Sequence, residues 1–161
     1  MLMLERFTTD YDPVEDRIRL AGIGAGGAPV TLWLNQRMLR LLLPQLSRWA
    51  ASRISPAAGG ALPDVQEFHQ AAALASRTGQ DGPVVPQGPE ALVVSVDYTD
   101  LGGTLRLTFK DRQAAGLATI DFPEVALRQW LAIMHAMHCV AGWPVDDFPD
   151  WIGPVAPVQL N

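Results

Sequence analysis

The sequence has a single cysteine, Cys139, so no disulfide can form within the chain. Intracellular proteins rarely carry disulfides, and we therefore expect a cytoplasmic protein. Long apolar runs are also missing: the densest, 38–46, contains Arg40 and Pro44. It is far shorter than the ~20 residues that span a bilayer. The first residues lack the charged and apolar regions of a signal peptide, so we expect none.

Charged residues are scarce, at 18% of the chain, and only one of the 12 basic residues, Lys110, is a lysine. The formal net charge is −5. An acidic domain repels the phosphate backbone of nucleic acid unless it carries a local basic stripe. We therefore expect no nucleic-acid partner, and no membrane partner. A composition rich in alanine and arginine but poor in lysine indicates a bacterial source with a GC-rich genome.

Apolar periodicity predicts the order three strands, two helices, three strands and one helix. The strands are predicted at 4–11, 17–23, 29–34, 91–99, 104–110 and 116–122, and the helices at 36–51, 64–77 and 123–141. Asn35 suits the N-cap of the first helix. This order predicts an α+β fold, either an antiparallel β-sandwich or a curved sheet, with a two-helix insertion and a C-terminal helix.

One α+β domain is predicted over 1–142, with a partly flexible helical insertion at 51–90. Proline, acidic and aromatic residues make up a tail at 143–161. The helix predicted inside the insertion has a weak apolar face. Its members are Val65, Phe68, Ala72 and Ala75.

Gly22, Gly24 and Gly27 match the spacing of the dinucleotide-binding fingerprint. That motif needs a helix directly after it, because the pyrophosphate binds at the helix N-terminus. Pro29 and a predicted strand follow instead, so we interpret the glycines as a turn.

His135, His138 and Cys139 are spaced three and four apart on the last helix, and two of them could hold one metal ion. The helical wheel places His138 in the apolar face, with the other two on its flank. Transition-metal sites usually need three protein ligands, so packing is the preferred interpretation and a metal site the alternative. No cofactor is expected.

Arg37, Arg40 and Arg48 form a basic stripe on the first helix. This stripe could bind an anion or pair with the acidic residues of the tail, although a solvated helix face is the preferred interpretation. A second charged cluster, 10–16, is acidic and lacks the spacing of a calcium loop.

The last helix is apolar on nearly all sides, which predicts that it is buried on nearly all sides. Either the tail aromatics Trp143, Phe148 and Trp151 cover this helix, or another subunit does. The second possibility predicts a homodimer.

The element order resembles the head domain of the X-ray cross-complementing scaffold proteins of non-homologous end joining. The segments that carry this resemblance are 26–46 (strand into helix), 92–122 (meander) and 123–141 (closing helix). Those heads are β-sandwiches with a helix-turn-helix insertion, so the resemblance implies a sandwich. This sequence lacks their heptad stalk and has a proline-rich tail, and fold alone does not imply a role in DNA repair.

Two functions remain open from the sequence. The first is a non-enzymatic protein-interaction or scaffold module, with the three arginines and three tail aromatics as binding residues. The alternative is a metal- or small-ligand-binding protein or enzyme that uses His135, His138 and Cys139. No nucleophile elbow, P-loop or paired-cysteine zinc pattern occurs in the chain.

Overall fold

The computed structural model describes residues 1–54, 63–77 and 81–153. Parts of the predicted insertion and the end of the predicted tail therefore lie outside the described residues. The strands are β1 (Leu2–Asp12), β2 (Arg17–Gly24), β3 (Pro29–Leu34), β4 (Glu90–Leu92), β5 (Ser95–Asp100), β6 (Thr104–Lys110) and β7 (Gly116–Pro123). The helices are α1 (Gln36–Ser52), α2 (Pro63–Ala75) and α3 (Glu124–Ala141).

The contacts divide the chain into two compact units. The first unit comprises Met1–Leu39 and Gly79–Pro123, and contains every strand named above. The second comprises Arg40–Thr78 and Glu124–Asn161, and contains α2, α3 and most of α1.

The strands of the first unit form a mixed sheet in the order β4-β3-β2-β1-β7-β6-β5. Neighbours are antiparallel except for β1 with β7 and β3 with β4, which are parallel. Alternate residues on the central strands are buried. They include Ile18, Leu20, Leu32, Leu34, Leu105, Leu107, Phe109, Ile120 and Phe122.

The two edge strands of this sheet are neighbours in the chain, because only Val93 and Val94 separate β4 from β5. The N–H of Val93 donates to the carbonyl of Trp33 at 2.9 Å, on the β3 side. The N–H of Val94 donates to the carbonyl of Lys110 at 2.9 Å, on the β6 side. One short segment therefore bridges the two ends of the strand order, and the sheet is curled into a half-barrel.

The α+β class and the curved sheet are confirmed. A sandwich is not observed, because the strands of the described residues form a single sheet, and two of its pairings are parallel. The single strand predicted at 91–99 is wrong: apolar alternation continues past Val93, but the hydrogen-bonding partner changes there from β3 to β6. The N-cap of α1 is confirmed, since the N–H of Met38 donates to Oδ1 of Asn35 at 2.8 Å.

Gly22 and Gly24 are needed for close packing of neighbouring strands. A Cβ at Gly24 would lie 2.8 Å from the carbonyl oxygen of Met3 and 2.3 Å from the side chain of Leu2. A Cβ at Gly22 would lie 2.5 Å from the side chain of Leu4. These contacts account for both glycines without a bound phosphate.

No helix in the described part of the chain is both long enough and apolar enough to cross a membrane.

Gly88 holds the segment before β4 against β3, and we expect its replacement to be costly. It has φ +80°, and a Cβ would lie 2.6 Å from the carbonyl oxygen of Pro29. Positive φ costs an alanine about 1–2 kcal/mol, and the backbone clash adds about 1–3 kcal/mol, so Gly88→Ala should lower the free energy of unfolding by about 2–5 kcal/mol. Urea denaturation measures the change.

Gly102→Ala is the matched control, because Gly102 has φ +82° but nothing within 4 Å of the added Cβ. It should cost only the conformational part, about 1–2 kcal/mol. Equal losses in the two variants would show that the contact with Pro29 is unimportant.

Candidate functional site

An open groove lies within the second unit, between α1 and the segment that follows α3. Its volume is about 400 Å³. Pro44, Ser47, Arg48 and Ala51 of α1 form one wall. The other wall consists of Asp146, Asp147, Phe148, Pro149 and Trp151. We refer to the whole groove as the α1–C-terminal groove.

The α1 wall follows from helical spacing, since residues 44, 47, 48 and 51 are three or four apart and share one face. Arg48 is exposed and forms no ion pair with another described residue. Ser47 is buried, and its hydroxyl donates to the carbonyl of Leu43 at 2.9 Å. The wall therefore offers one available cation and no activated hydroxyl.

The opposite wall is fixed to α1 by an ion pair. Nε of Arg40 lies 3.0 Å from Oδ2 of Asp147. Of the two interactions that the sequence allows for the basic stripe, pairing with the acidic tail is therefore realised at Arg40. Asp146 is exposed and has no ion pair in the described ranges.

Trp151 packs on a buried cation. The guanidinium carbon of Arg128 lies 4.8 Å from the centre of the Trp151 ring, which is a cation–π distance. Arg128 belongs to α3 and is 1% exposed. The groove wall at Trp151 is therefore supported from beneath by α3.

The Arg128 guanidinium connects three helices. Its Nε donates to Oε1 of Glu124 at 3.0 Å. Its Nη2 donates to the carbonyl of Ala50, near the end of α1, at 3.2 Å and to Oε1 of Gln66 on α2 at 2.8 Å. Its Nη1 has no hydrogen-bond partner among the described residues. Burial lowers the pKa of Arg128, against the opposing effect of Glu124.

The buried face of the described part of α2 carries two glutamines and an alanine, and the apolar face predicted from Val65, Phe68, Ala72 and Ala75 is wrong. Gln66, Gln70 and Ala73 are buried, whereas Phe68 is 71% exposed. Nε2 of Gln70 donates to the carbonyl of Arg128 at 2.9 Å. The polar groups of Arg128 and the carbonyl of Ala51 therefore hold the glutamine side of α2 inward.

His135 and His138 pack against aromatic rings of the C-terminal segment. The ring of Phe148 is edge-on to both histidines, at centroid distances of 5.1 Å from His135 and 5.0 Å from His138. The ring of Trp143 lies 5.2 Å from that of His138. Nδ1 of His138 hydrogen-bonds with the carbonyl of Met134 at 2.7 Å.

Burial lowers the pKa of His135 and the pKa of His138, because the interior penalises the imidazolium. For His138 the carbonyl of Met134 and the carboxylate of Asp147 oppose this effect, while the neighbouring His135 adds to it. Both rings are therefore held in the neutral form near pH 7.

The structure brings two of the three candidate metal ligands together. Nδ1 of His135 and Sγ of Cys139 are 3.9 Å apart, while Nδ1 of His138 is engaged by Met134. No group of three histidine, cysteine or acidic side chains in the described ranges could hold a metal ion.

The candidate binding residues separate into distinct places. Arg48, Phe148 and Trp151 meet in the groove, and Arg40 pairs beside it. Trp143 is buried against His138. Arg37 is exposed in the first turn of α1 and belongs to the first unit, whereas the groove belongs to the second.

The C-terminal segment covers part of α3 through Trp143, Phe148 and Trp151, which was the first of the two explanations for the apolar character of this helix. Sequence reasoning did not identify Arg128, Gln66 or Gln70. The spacing of the glutamines, four residues apart and in line with Ala73, is the available signal for a buried polar face.

Comparison of the chain with known protein families, with curated proteins and with solved structures finds no match.

Replacing Arg128 should destabilise the second unit. Arg128→Met removes the charged donor to Oε1 of Gln66 and one of the two donors to the carbonyl of Ala50, which keeps the N–H of Arg53 at 3.3 Å. A hydrogen bond to a charged group contributes about 1.5–3 kcal/mol. We expect the free energy of unfolding to fall by about 2–4 kcal/mol in urea denaturation. Arg48→Met, on the exposed groove wall, should change it by no more than about 0.5 kcal/mol. Similar small losses in both variants would mean that the Arg128 contacts are weak.

Stability should also fall in mild acid. The folded-state pKa of each buried histidine is below the ordinary value of 6.5, so the unfolded chain binds protons first as the pH falls. The contribution of the neutral rings is complete above pH 6.5 and is lost below it. Urea denaturation between about pH 7.5 and 5.5 should show this loss, and His138→Leu should reduce it.

His69→Leu on α2 is the control, since His69 packs edge-on to Phe68 rather than to Phe148 or Trp143. This variant should keep the pH dependence of the unchanged protein. A His138→Leu variant with the full pH dependence would contradict the assignment.

Proposed function

We propose that the protein is a non-enzymatic protein-interaction module that binds a proline-containing, basic peptide in the α1–C-terminal groove. The observation that supports this proposal is the combination of proline and aromatic rings on the walls with one exposed cation and one exposed carboxylate.

The ring-lined walls favour a peptide in the polyproline II conformation. Pro44 stands on one side, and Phe148, Pro149 and Trp151 stand on the other. Aromatic-lined grooves bind such peptides because the extended helix is already ordered before binding. Small-molecule pockets usually enclose most of their ligand, whereas this groove is open to solvent.

The two charges suit the backbone and side chains of such a peptide. A polyproline II helix makes no internal hydrogen bonds, so its carbonyls can accept from the guanidinium of Arg48. A lysine or arginine of the peptide can pair with Asp146. The net charge of −5 favours a basic partner over an acidic one as the two approach each other.

Two of the four polar side chains of the groove, Ser47 and Asp147, are engaged in structural interactions, which favours binding over catalysis. The hydroxyl of Ser47 donates to Leu43, and the carboxylate of Asp147 is paired with Arg40. No described histidine or cysteine is among the lining residues. A nucleophile with an adjacent base, as covalent catalysis needs, is therefore missing from the described walls.

A cytoplasmic homodimer belongs to the same proposal. The exposed thiol of Cys139 is compatible with a reducing compartment. Beside the part that the C-terminal segment covers, α3 exposes Val125 and Val140, which a second copy could bury.

The test uses three synthetic decapeptides: polyproline ending in two arginines, the same peptide ending in two glutamates, and a glycine–serine peptide ending in two arginines. Isothermal calorimetry should show the strongest binding for the proline–arginine peptide. An exposed ion pair contributes up to about 1 kcal/mol, so the glutamate peptide should bind about fivefold more weakly. The glycine–serine peptide should bind more weakly still, because it must be ordered on binding.

Trp151→Ala should weaken binding of the proline–arginine peptide by at least about tenfold, as expected for a central aromatic contact. Leu41→Ser is the matched control, since Leu41 is exposed on α1 but does not line the groove. It should leave the affinity unchanged. No binding of the proline–arginine peptide at about 1 mM, or equal affinity of both variants, would reject the proposal.

A further inference from the structure

Strand β5, in the first unit, has an unpartnered edge. It stands at the end of the strand order and pairs only with β6 among the described strands. The N–H of Leu101 donates to the carbonyl of Thr104 at 2.8 Å, so odd-numbered residues of β5 face β6 in the alternating antiparallel pattern. The N–H and C=O groups of Val96 and Tyr98 therefore point away from β6. Neither residue has another backbone partner within the described ranges.

The two faces of β5 differ in chemistry. Val96 and Tyr98 lie on the apolar face of the sheet, opposite Phe109 and Leu107 of β6. Even so, the side chain of Tyr98 is 49% exposed, and that of the adjoining Val94 is 46% exposed. The other face carries the exposed side chains of 95, 97 and 99, and Asp97 is ion-paired with Lys110. An incoming strand would thus meet apolar side chains on one face and polar, acidic side chains on the other.

We propose that the β5 edge is a second interaction surface, which accepts an extended strand of alternating basic and apolar residues from a partner protein. Main-chain hydrogen bonds to Val96 and Tyr98 provide the pairing, as in other cases of strand addition. Apolar side chains of the partner cover Tyr98, and its basic side chains face Asp97. This surface shares no residue with the α1–C-terminal groove.

Charge decides between a partner strand and a second copy of this chain. A second copy would bring Asp97, Asp100 and a further net charge of −5 to the same edge. Like charges on paired strands are unfavourable. A pair of six-residue edges also buries much less than the ~1,200 Å² of a stable dimer. A short basic strand avoids the charge repulsion, and a transient complex does not need the buried area of a stable dimer.

The test probe is the heptapeptide Lys-Val-Lys-Val-Lys-Val-Lys. Its controls are an alternating Glu-Val heptapeptide and a block peptide with four lysines followed by three valines. The alternating basic peptide should bind at least about fivefold more tightly than either control. Hydrogen exchange by NMR should slow at the amides of Val96 and Tyr98 in its presence, because these N–H groups then donate to the peptide.

Val96→Pro removes an outward N–H, whereas the matched variant Val96→Ala keeps it. The proline variant should bind the peptide at least about tenfold more weakly, and the alanine variant within about threefold. Circular dichroism checks that both are folded. Asp97→Lys gives a second readout that needs no proline: it should reverse the preference between the Lys-Val and Glu-Val peptides.

Three outcomes would overturn the proposal. The block peptide could bind as tightly as the alternating one, or exchange at Val96 and Tyr98 could stay unchanged. Alternatively, light scattering could show a homodimer that Val96→Pro dissociates, which would mean that a second copy occupies this edge.

Discussion

The second unit depends on the burial of one guanidinium group. Arg128 places a cation at 1% exposure, and such a group is tolerated only when its charge and its donors are matched. Glu124 supplies the opposite charge, while Ala50 and Gln66 accept two further hydrogen bonds. Because these acceptors come from three helices, hydrogen bonds to the one guanidinium group constrain the positions of all three helices. The unpartnered Nη1 is partly compensated by the Trp151 ring.

The shape of the α1–C-terminal groove depends on the packing around Arg128. One of its walls is the segment 146–151, which contacts α3 through the ring of Trp151 on Arg128 and the ring of Phe148 on two histidines. The segment is therefore an integral part of the second unit. It also follows that protonation of His135 or His138 acts on Phe148, a residue of the groove wall, so binding and acid stability share one set of contacts.

Elements that depend on local periodicity were predictable. Strands β3 and β6 have the predicted bounds, 29–34 and 104–110, because residues of alternating polarity specify a half-buried strand without reference to its neighbours. The change of partner at Val93 was not predictable, since alternation within a strand carries no information about pairing. Arg128 was missed for another reason: arginine is usually exposed, and only its three-dimensional acceptors show that it is buried here. The sequence predicted the arginines of α1 and the tail aromatics as binding residues, but it did not predict that some of them line one groove.

Both proposed surfaces favour the same class of partner. The groove suits a polyproline II segment, and the β5 edge suits an extended strand; disordered chains readily adopt both conformations. Each surface presents a carboxylate, Asp146 or Asp97, beside apolar rings or aliphatic groups. A disordered basic segment can approach the acidic protein along its electrostatic field and then order only the few residues in contact. The ordering entropy limits the affinity at either surface.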